Sequence, residues 1–487
     1  MARTHIADSP QANEQREVFA RYRDERVLYW DNFAQSLDRW ERSRATYQRR
    51  LTSIYRFLIP PGMRVLELGC GQGDLLASLQ PSHGVGVDFS ERVLERAAAR
   101  HPELEFIHAD VHEFVPHEKF DFIILSDLVN ELWEVQRVLE IAAQCSVPST
   151  RVVLNAYSRL WEIPRRLAEK LRLARPQLSQ NWLTREDLNN MLYLSGFETI
   201  RTFSEIMWPV RTPGIDPLCN RYLVKLGLFS WLGVTNFIVA RPRPLSSGHH
   251  TVSVIVPARN EEGNIRRIFE ETPDMGARTE LIFVEGHSRD NTFDTIRQEI
   301  ERHPNRNAKL FRQSGKGKGD AVRLGFAEAS GDVLMILDAN LTMPPEDLPR
   351  FYEAWRSGKG EFVNGVRLVY PMQDRAMQFF NLLANKFFGV TFTWLLGQSV
   401  KDSLCGTKVL SKQHYEMIAA NRSYFGELDP FGDFDLLFGA AKYNLKIVDV
   451  PIRYRERTYG TTNIQRWSHG WLLLRMVLLA MLKMKFV

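Results

Sequence analysis

Short apolar runs rich in β-branched residues recur along the chain, and each is followed by a stretch whose apolar positions return at helical spacing. This alternation occurs twice. In the first series the pattern predicts strands over residues 64–68, 84–87, 105–109, 120–125 and 151–156, a helix over 91–100 and a closing strand over 235–241. In the second, strands over 252–256, 280–284, 308–312 and 333–337 alternate with helices over 262–271, 292–302 and 321–329. Strand–helix alternation of this kind predicts an α/β fold wound on a parallel sheet, here in two copies of unlike loop chemistry. The Pro-, Ser- and His-rich residues 241–250 form the seam, giving a first domain over 1–245, a linker over 246–251 and a second domain over 252–487. Ahead of the first strand, residues 1–54 carry Tyr22, Tyr29, Trp30, Phe33, Trp40 and Tyr47 among arginines, and they predict a helical cover on the first sheet.

Composition narrows the function classes. At 487 residues, two or three packed units are expected, and 44% hydrophobic with 25% charged residues excludes long disorder and a polytopic membrane protein. The formal charge of +5 is too small for a dedicated nucleic-acid binder, and acidic residues interleave with the N-terminal arginines, so no nucleic acid is expected as a partner. The surplus lies at the C-terminus, where residues 441–487 hold nine basic and two acidic side chains. Four scattered cysteines without a C-x-x-C pair, and no secretory h-region after Met1, point to a cytoplasmic protein. No run reaches the ~18 apolar residues that span a bilayer.

The chemistry begins at Glu67-Leu-Gly69-Cys-Gly71-Gln-Gly73-Asp74, three glycines between a strand and a helix, where backbone approaches a ligand closely. The spacing is not the Gly-x-Gly-x-x-Gly of a dinucleotide site, and Asp74 would face a pyrophosphate with like charge. The pattern resembles motif I of the Rossmann-like class I S-adenosylmethionine-dependent methyltransferases. That resemblance implies a cofactor with a sulfonium and an ammonium held by Glu67, Gly69, Gly71 and Gly73, with Asp88 and Phe89 at the ribose and Asp110 and Val111 at the adenine. Asp127 and Glu131 follow the fourth strand, where the family places substrate-facing groups; Asp127 is a candidate base or, equally, a helix cap.

The second domain opens on Val252-Ser-Val-Ile-Val-Pro257-Ala-Arg259-Asn-Glu261, which resembles the start of family 2 glycosyltransferases of GT-A fold. The resemblance implies a nucleotide-sugar pocket lined by Pro257, Arg259, Glu261 and Glu285, with the Gly315-Lys316-Gly-Lys318 loop at the diphosphate. Most members carry Asp-x-Asp for Mg²⁺ or Mn²⁺; here the pair is Asp338 and Asn340, which keeps a carbonyl ligand and loses a charge. Asp402 and Asp433 are further catalytic candidates. Lys408 and the alternating Arg453, Arg455 and Arg457 look like the acceptor side of the dolichyl/polyprenyl-phosphate sugar synthase branch, which implies a polyprenyl phosphate or glycolipid acceptor. Alternation places the three arginines on one face of an extended stretch. An anionic acceptor needs no base; a sugar hydroxyl would need one, and Asp433 is that candidate.

Two amphipathic stretches fit a lipid acceptor: Asp374, Gln378, Asn381 and Asn385 opposite Phe380, Leu383 and Phe387, and Trp471, Leu474, Leu478 and Met481 opposite Arg475, Lys483 and Lys485. Such stripes also mark ordinary core helices; read as interfacial, they predict a peripheral protein on the inner face of the membrane. The whole reads as a bifunctional transferase; a glycosyltransferase with a regulatory S-adenosylmethionine-binding domain, or a scaffold with silenced sugar chemistry, are the alternatives.

Overall fold

The computed structural model describes residues 10–34, 37–171, 178–244, 248–367, 379–422, 432–453, 455, 457, 459 and 466–486. The chain divides into two compact units, residues 1–243 and 244–486, each built on a seven-stranded sheet.

In unit 1 the strands are β1 (Arg64–Leu68), β2 (His83–Asp88), β3 (Glu105–His108), β4 (Phe120–Ser126), β5 (Ser146–Tyr157), β6 (Phe197–Glu205) and β7 (Thr235–Pro242), in the order β3-β2-β1-β4-β5-β7-β6. Strands β1 to β5 are parallel, whereas β7 runs antiparallel between β5 and β6. The sheet is therefore mixed, not wholly parallel as the alternation predicts. Strand β6 escapes the sequence pattern because a register shift between Thr199 and Arg201 interrupts its period of two. Successive residues of one strand enter opposite cores: Leu66, Leu68, Ile123 and Leu125 pack on one face, Val65, Phe122 and Ile124 on the other. Helix Leu37–Leu58 closes the second core with Tyr47, Leu51, Ile54, Tyr55 and Leu58. Helix Pro10–Ala34 does something different from the expected cover: its Tyr22, Arg26 and Asp31 bond to the loops at the carboxyl edge, at Glu131, Ser179 and Ser90. The side chains of Phe33 and Trp40 lie outside the described residues.

Unit 2 comprises β8 (Thr251–Ala258), β9 (Arg278–Glu285), β10 (Ala308–Arg312), β11 (Val333–Ile336), β12 (Phe362–Val366), β13 (Lys408–Ser411) and β14 (Ile447–Pro451), ordered β10-β9-β8-β11-β13-β12-β14. The four predicted strands form the parallel half, and β13 runs antiparallel to β11 and β12. Strands β12 to β14, of four or five residues each, complete the sheet beyond the predicted series. Helix Lys318–Ala327 lies so close on β8 that a Cβ on Gly325 would sit 2.5 Å from Ile255 Cγ2.

Gly325→Leu should therefore destabilise unit 2 by about 1–3 kcal/mol through overpacking. Urea denaturation checks this, and an unchanged midpoint would contradict the close packing.

Candidate functional site

The Gly-rich loop of unit 1 folds as it does because Gly69, Gly71 and Gly73 all have left-handed backbones, with φ of 72°, 53° and 73°. A Cβ on Gly69 would meet Leu128 and one on Gly73 would meet Phe106, but a Cβ on Gly71 would have nothing within 4 Å. The loop is thus packed at both ends and open in the middle, a cradle for a ligand. Asp88, ending β2, accepts from Gly71 N at 2.9 Å through Oδ2 and from Ser90 N at 3.0 Å through Oδ1, so it braces the loop from below. Glu67 is 2% exposed and its Oε2 has no hydrogen-bond partner among the described residues. Burial pushes the carboxyls of Glu67 and Asp88 above their ordinary values, Glu67 by far the more. Buried carboxylates beside an open cradle fit a cationic ligand such as the sulfonium and ammonium expected here.

The other expected contacts divide. Phe89 is half-buried beside Asp88, while Val111 belongs to the apolar core. Asp110 Oδ1 accepts from His112 N at 2.9 Å and Nδ1 at 2.7 Å; burial would raise this carboxyl, but His112 holds it below the usual range. Asp127 is no helix cap. It has φ 52°, and its Oδ1 accepts from Tyr47 Oη at 2.7 Å and Asn155 Nδ2 at 2.5 Å. Tyr55 Oη in turn donates to Asn155 Oδ1 at 2.7 Å, and Tyr47 Oη lies 3.2 Å from Thr235 Oγ1. Sequence reasoning missed Tyr47 and Asn155, because no spacing links residues 47, 127 and 155. Glu131 is tied to the N-terminal helix, its carboxylate accepting from Trp30 Nε1 at 2.9 Å.

In unit 2 the carboxyl ends of β8, β9 and β11 converge with the starts of helices Lys318–Ala327 and Asp433–Lys442. Lys318 Nζ lies 2.8 Å from Asp338 Oδ1 and 3.6 Å from Asp433 Oδ2. Burial would lower this ammonium's pKa, but the two carboxylates raise it above the ordinary lysine value. Two glycines make the cluster possible: a Cβ on Gly406 would overlap Asp338 Oδ2 and Lys318 Nζ, and one on Gly432 would sit 2.8 Å from Gly319 Cα. Asn340 faces its own turn. Its Oδ1 accepts from Thr342 N at 3.1 Å and Thr342 Oγ1 at 2.8 Å, so both carbonyl lone pairs are taken. Asn340 Oδ1 is thus turned to Thr342 and Asp338 Oδ1 to Lys318, which leaves Asp338 Oδ2 as the oxygen of the expected pair turned to neither.

Glu285 is 1% exposed and accepts from Ser288 N and, at 3.1 Å, from Arg312 Nε. Arg259 and Lys316 are exposed and Pro257 half-buried at the same edge. Of residues 453–459, the described residues 455, 457 and 459 contact this edge. Arg455 N bonds Thr342 O at 2.9 Å, its guanidinium lies 3.4 Å from Glu346 Oε1, Arg457 Nη1 is 3.2 Å from Glu261 Oε1, and Tyr459 Oη donates to Asp290 at 3.5 Å. Arg453 is exposed. Two of the expected acceptor arginines are thus paired with pocket acids. Lys408 and Asp402 lie deeper. Lys408 is wholly buried and donates to Asn364 Oδ1 at 2.7 Å and to Cys405 O. Asp402 holds Arg367 in a two-pronged pair at 2.7 and 2.8 Å; burial would raise its carboxyl, but the guanidinium keeps it low. These two residues buttress the loop over residues 402–408 from inside, with no atom left facing a substrate as the sequence reading expected. Arg312, Arg367 and Asp290 were missed, since each is recognised only through its partner.

Residues 40–202 match the family model described as methyltransferase domain, and residues 253–425 match that of glycosyl transferase family 2. The chain is similar to a dolichol-phosphate mannosyltransferase of Pyrococcus furiosus, 30% identical over 224 residues, covering 44% of this chain and 59% of that one. It is also similar to an undecaprenyl-phosphate 4-deoxy-4-formamido-L-arabinose transferase of Edwardsiella ictaluri, 24% identical over 213 residues, covering 43% and 61%. The chain spans about three-fifths of the length of these curated relatives. Among solved structures, it resembles a SAM-dependent methyltransferase of Thermotoga maritima with a TM-score of 0.35 and 18% identity, over 44% of this chain and 97% of that one.

Burial pushes the Glu261 carboxyl up to about 7, against the opposing pull of Arg457. Because the folded value exceeds the unfolded one of about 4.3, the folded state binds the extra proton between them, and stability falls as pH rises through that window. Glu261→Gln should flatten this decline in thermal melts taken from pH 4.5 to 7.5; an equally steep decline would show that Glu261 is not its source.

Proposed function

We propose that this chain, which joins a methyltransferase domain to a glycosyl transferase family 2 domain, is a bifunctional transferase. Unit 1 would move a methyl group from S-adenosylmethionine to an acceptor, and unit 2 a sugar from a nucleotide sugar to a polyprenyl phosphate or related glycolipid. The observation that carries the first half is the open Gly71 cradle beside the unpartnered Oε2 of Glu67. The cofactor, when bound, supplies an electrophilic methyl on a sulfonium. Glu67 and Asp88 offset its cationic end and hold its hydroxyls, while the Tyr47–Asp127–Asn155 network fixes a carboxylate at the same strand edge for the incoming nucleophile. Asp88→Ala should weaken S-adenosylmethionine binding to the full chain by ~1.5–3 kcal/mol through lost charge-assisted hydrogen bonds. Calorimetry decides it: equal affinities for wild type and variant would take Asp88 out of the site.

For unit 2 the reading draws on the names of the two relatives, each of which transfers to a polyprenyl-type phosphate. A phosphate monoester is already nucleophilic at neutral pH, so attack on the sugar needs no base, and the departing nucleoside diphosphate needs positive charge. A half-buried cation at this edge is the Lys318 ammonium, with Lys316 and Arg259 exposed; of the expected metal pair, Asn340 Oδ1 is taken by Thr342, so in this reading the lysine carries the charge. Among the described residues no helix is long and apolar enough to cross a membrane. Instead Trp471, Leu474, Leu478 and Leu482 form an exposed stripe on the last helix, 45–66% accessible, while Met476, Val477, Ala480 and Met484 face inward. Leu482, four residues after Leu478 and so on the same helical face, takes the place expected of Met481, which is half-buried. Of the other expected stripe, only the side chain of Phe387 falls among the described residues, and it is 61% exposed. Both surfaces support a peripheral protein, in our reading on the cytoplasmic leaflet where the polyprenyl phosphate would be met.

Radiolabelled nucleotide sugar, supplied with liposomes containing polyprenyl phosphate, should yield labelled lipid in wild type even in EDTA. Lys318→Met should cut that yield by about 10²-fold or more, and Asn340→Asp should introduce stimulation by Mn²⁺. No labelled lipid with or without metal would sink the reading, and wild-type turnover that requires metal would restore the divalent ion.

A further inference from the structure

Two segments of unit 1 leave the carboxyl edge of its sheet beside the pocket: residues 158–171 after β5, and residues 206–234 between β6 and β7. They are stitched together, Trp161 Nε1 donating to Leu232 O at 3.0 Å and Ser158 N to Val234 O at 2.8 Å. They also adjoin the Asp127 network, because Tyr157 pairs with Thr235 in the ladder and Tyr47 contacts both Asp127 and Thr235. Ile206 and Val224 anchor them in the core, yet most of their other large apolar side chains point away from it. Ile163 is 78% exposed, Leu167 56%, Leu171 60%, Leu228 83% and Trp231 58%. Ile163, Leu167 and Leu171 recur every fourth residue, so they share one face of helix Glu162–Lys170 and its end. So dense an exposed apolar group marks a docking surface.

Charge identifies what docks. The two segments together contain seven basic and three acidic residues, whereas the remainder of residues 1–243 contains 24 basic and 27 acidic. Unit 1 is therefore polarised, cationic where it is most apolar and anionic elsewhere. Lys170, Arg211 and Arg221 are exposed among the apolar side chains. That combination complements an anionic bilayer surface, where basic heads meet lipid phosphates and Leu, Ile and Trp side chains enter the acyl boundary. We propose that this carboxyl-edge face of unit 1 docks on anionic lipid bilayers, bringing the mouth of its pocket to the membrane. The docking stands on exposure and charge; only the meaning of that mouth rests on the methyltransferase reading above.

The test uses the full chain carrying Trp471→Glu and Leu474→Glu, which silence the stripe on the last helix. This background should co-sediment with vesicles of phosphatidylglycerol and phosphatidylcholine, and much less with phosphatidylcholine alone. Adding either Ile163→Glu with Leu167→Glu, or Leu228→Glu with Trp231→Glu, should weaken partitioning by about tenfold or more. Binding of S-adenosylmethionine in solution should be unchanged in those variants, which shows that they fold; a second pair of milder variants, Ile163→Ser and Leu228→Ser, serves if they do not. Unaltered vesicle binding in the added variants would overturn the proposal. So would a background protein that is dimeric in solution and becomes monomeric on adding them, since a second copy would then be the occupant. Vesicle binding that behaves as stated in a protein that does not bind S-adenosylmethionine would support the docking and defeat the methyltransferase reading alone.

Discussion

A parallel strand buried on both faces leaves a polar side chain one favourable place, the carboxyl end, where loop amides and the starts of helices can satisfy it. Both units place acids of their candidate sites at that end. Asp88 finds the amides of Gly71 and Ser90 at the end of β2, and Glu285 finds that of Ser288 at the end of β9. Glu67 differs: it lies one residue inside β1, its Oε2 has no partner among the described residues, and burial moves its carboxyl far upward. A group held at that cost fits a site built for a cation to arrive.

In unit 2 the same edge gathers charge of both signs, and the balance is internal. Lys318 lies between Asp338 and Asp433, Arg457 meets Glu261, and Arg455 meets Glu346. A diphosphate entering this edge would compete with carboxylates for the same cations. In our reading its binding would be coupled to Arg455 and Arg457, which would exchange one anionic partner for another. This account gives the alternating arginines a role nearer the donor than the sequence alone implied, without removing them from reach of an anionic acceptor.

Membrane contact, in this reading, is assembled from surfaces instead of spans. The last helix of unit 2 and the carboxyl-edge segments of unit 1 each expose leucines and tryptophans at helical spacing or in short turns. Basic side chains accompany both, which is the composition of interfacial segments and not of a buried core.

The sequence by itself determined the two α/β series and the turn of the Gly-rich loop, because those features are local. Three glycines between a strand and a helix can only be a close-approach turn, and all three proved left-handed. An acid at the end of an apolar run can be placed on a sheet edge without knowing its neighbours. What lay beyond the sequence were the partners that decide each acid's role, for these come from distant parts of the chain. Asp127 could be a cap or a base until Tyr47, 80 residues away, and Asn155 met it. Asp402 read as catalytic until Arg367 closed on it, and Lys408 as an acceptor ligand until its full burial showed otherwise. Asn340 read as a weakened metal ligand until Thr342, only two residues on, occupied its carbonyl. Local geometry follows from residue type and spacing; whether a buried charge is a tool or a strut depends on which long-range contact satisfies it, and that only the tertiary structure decides.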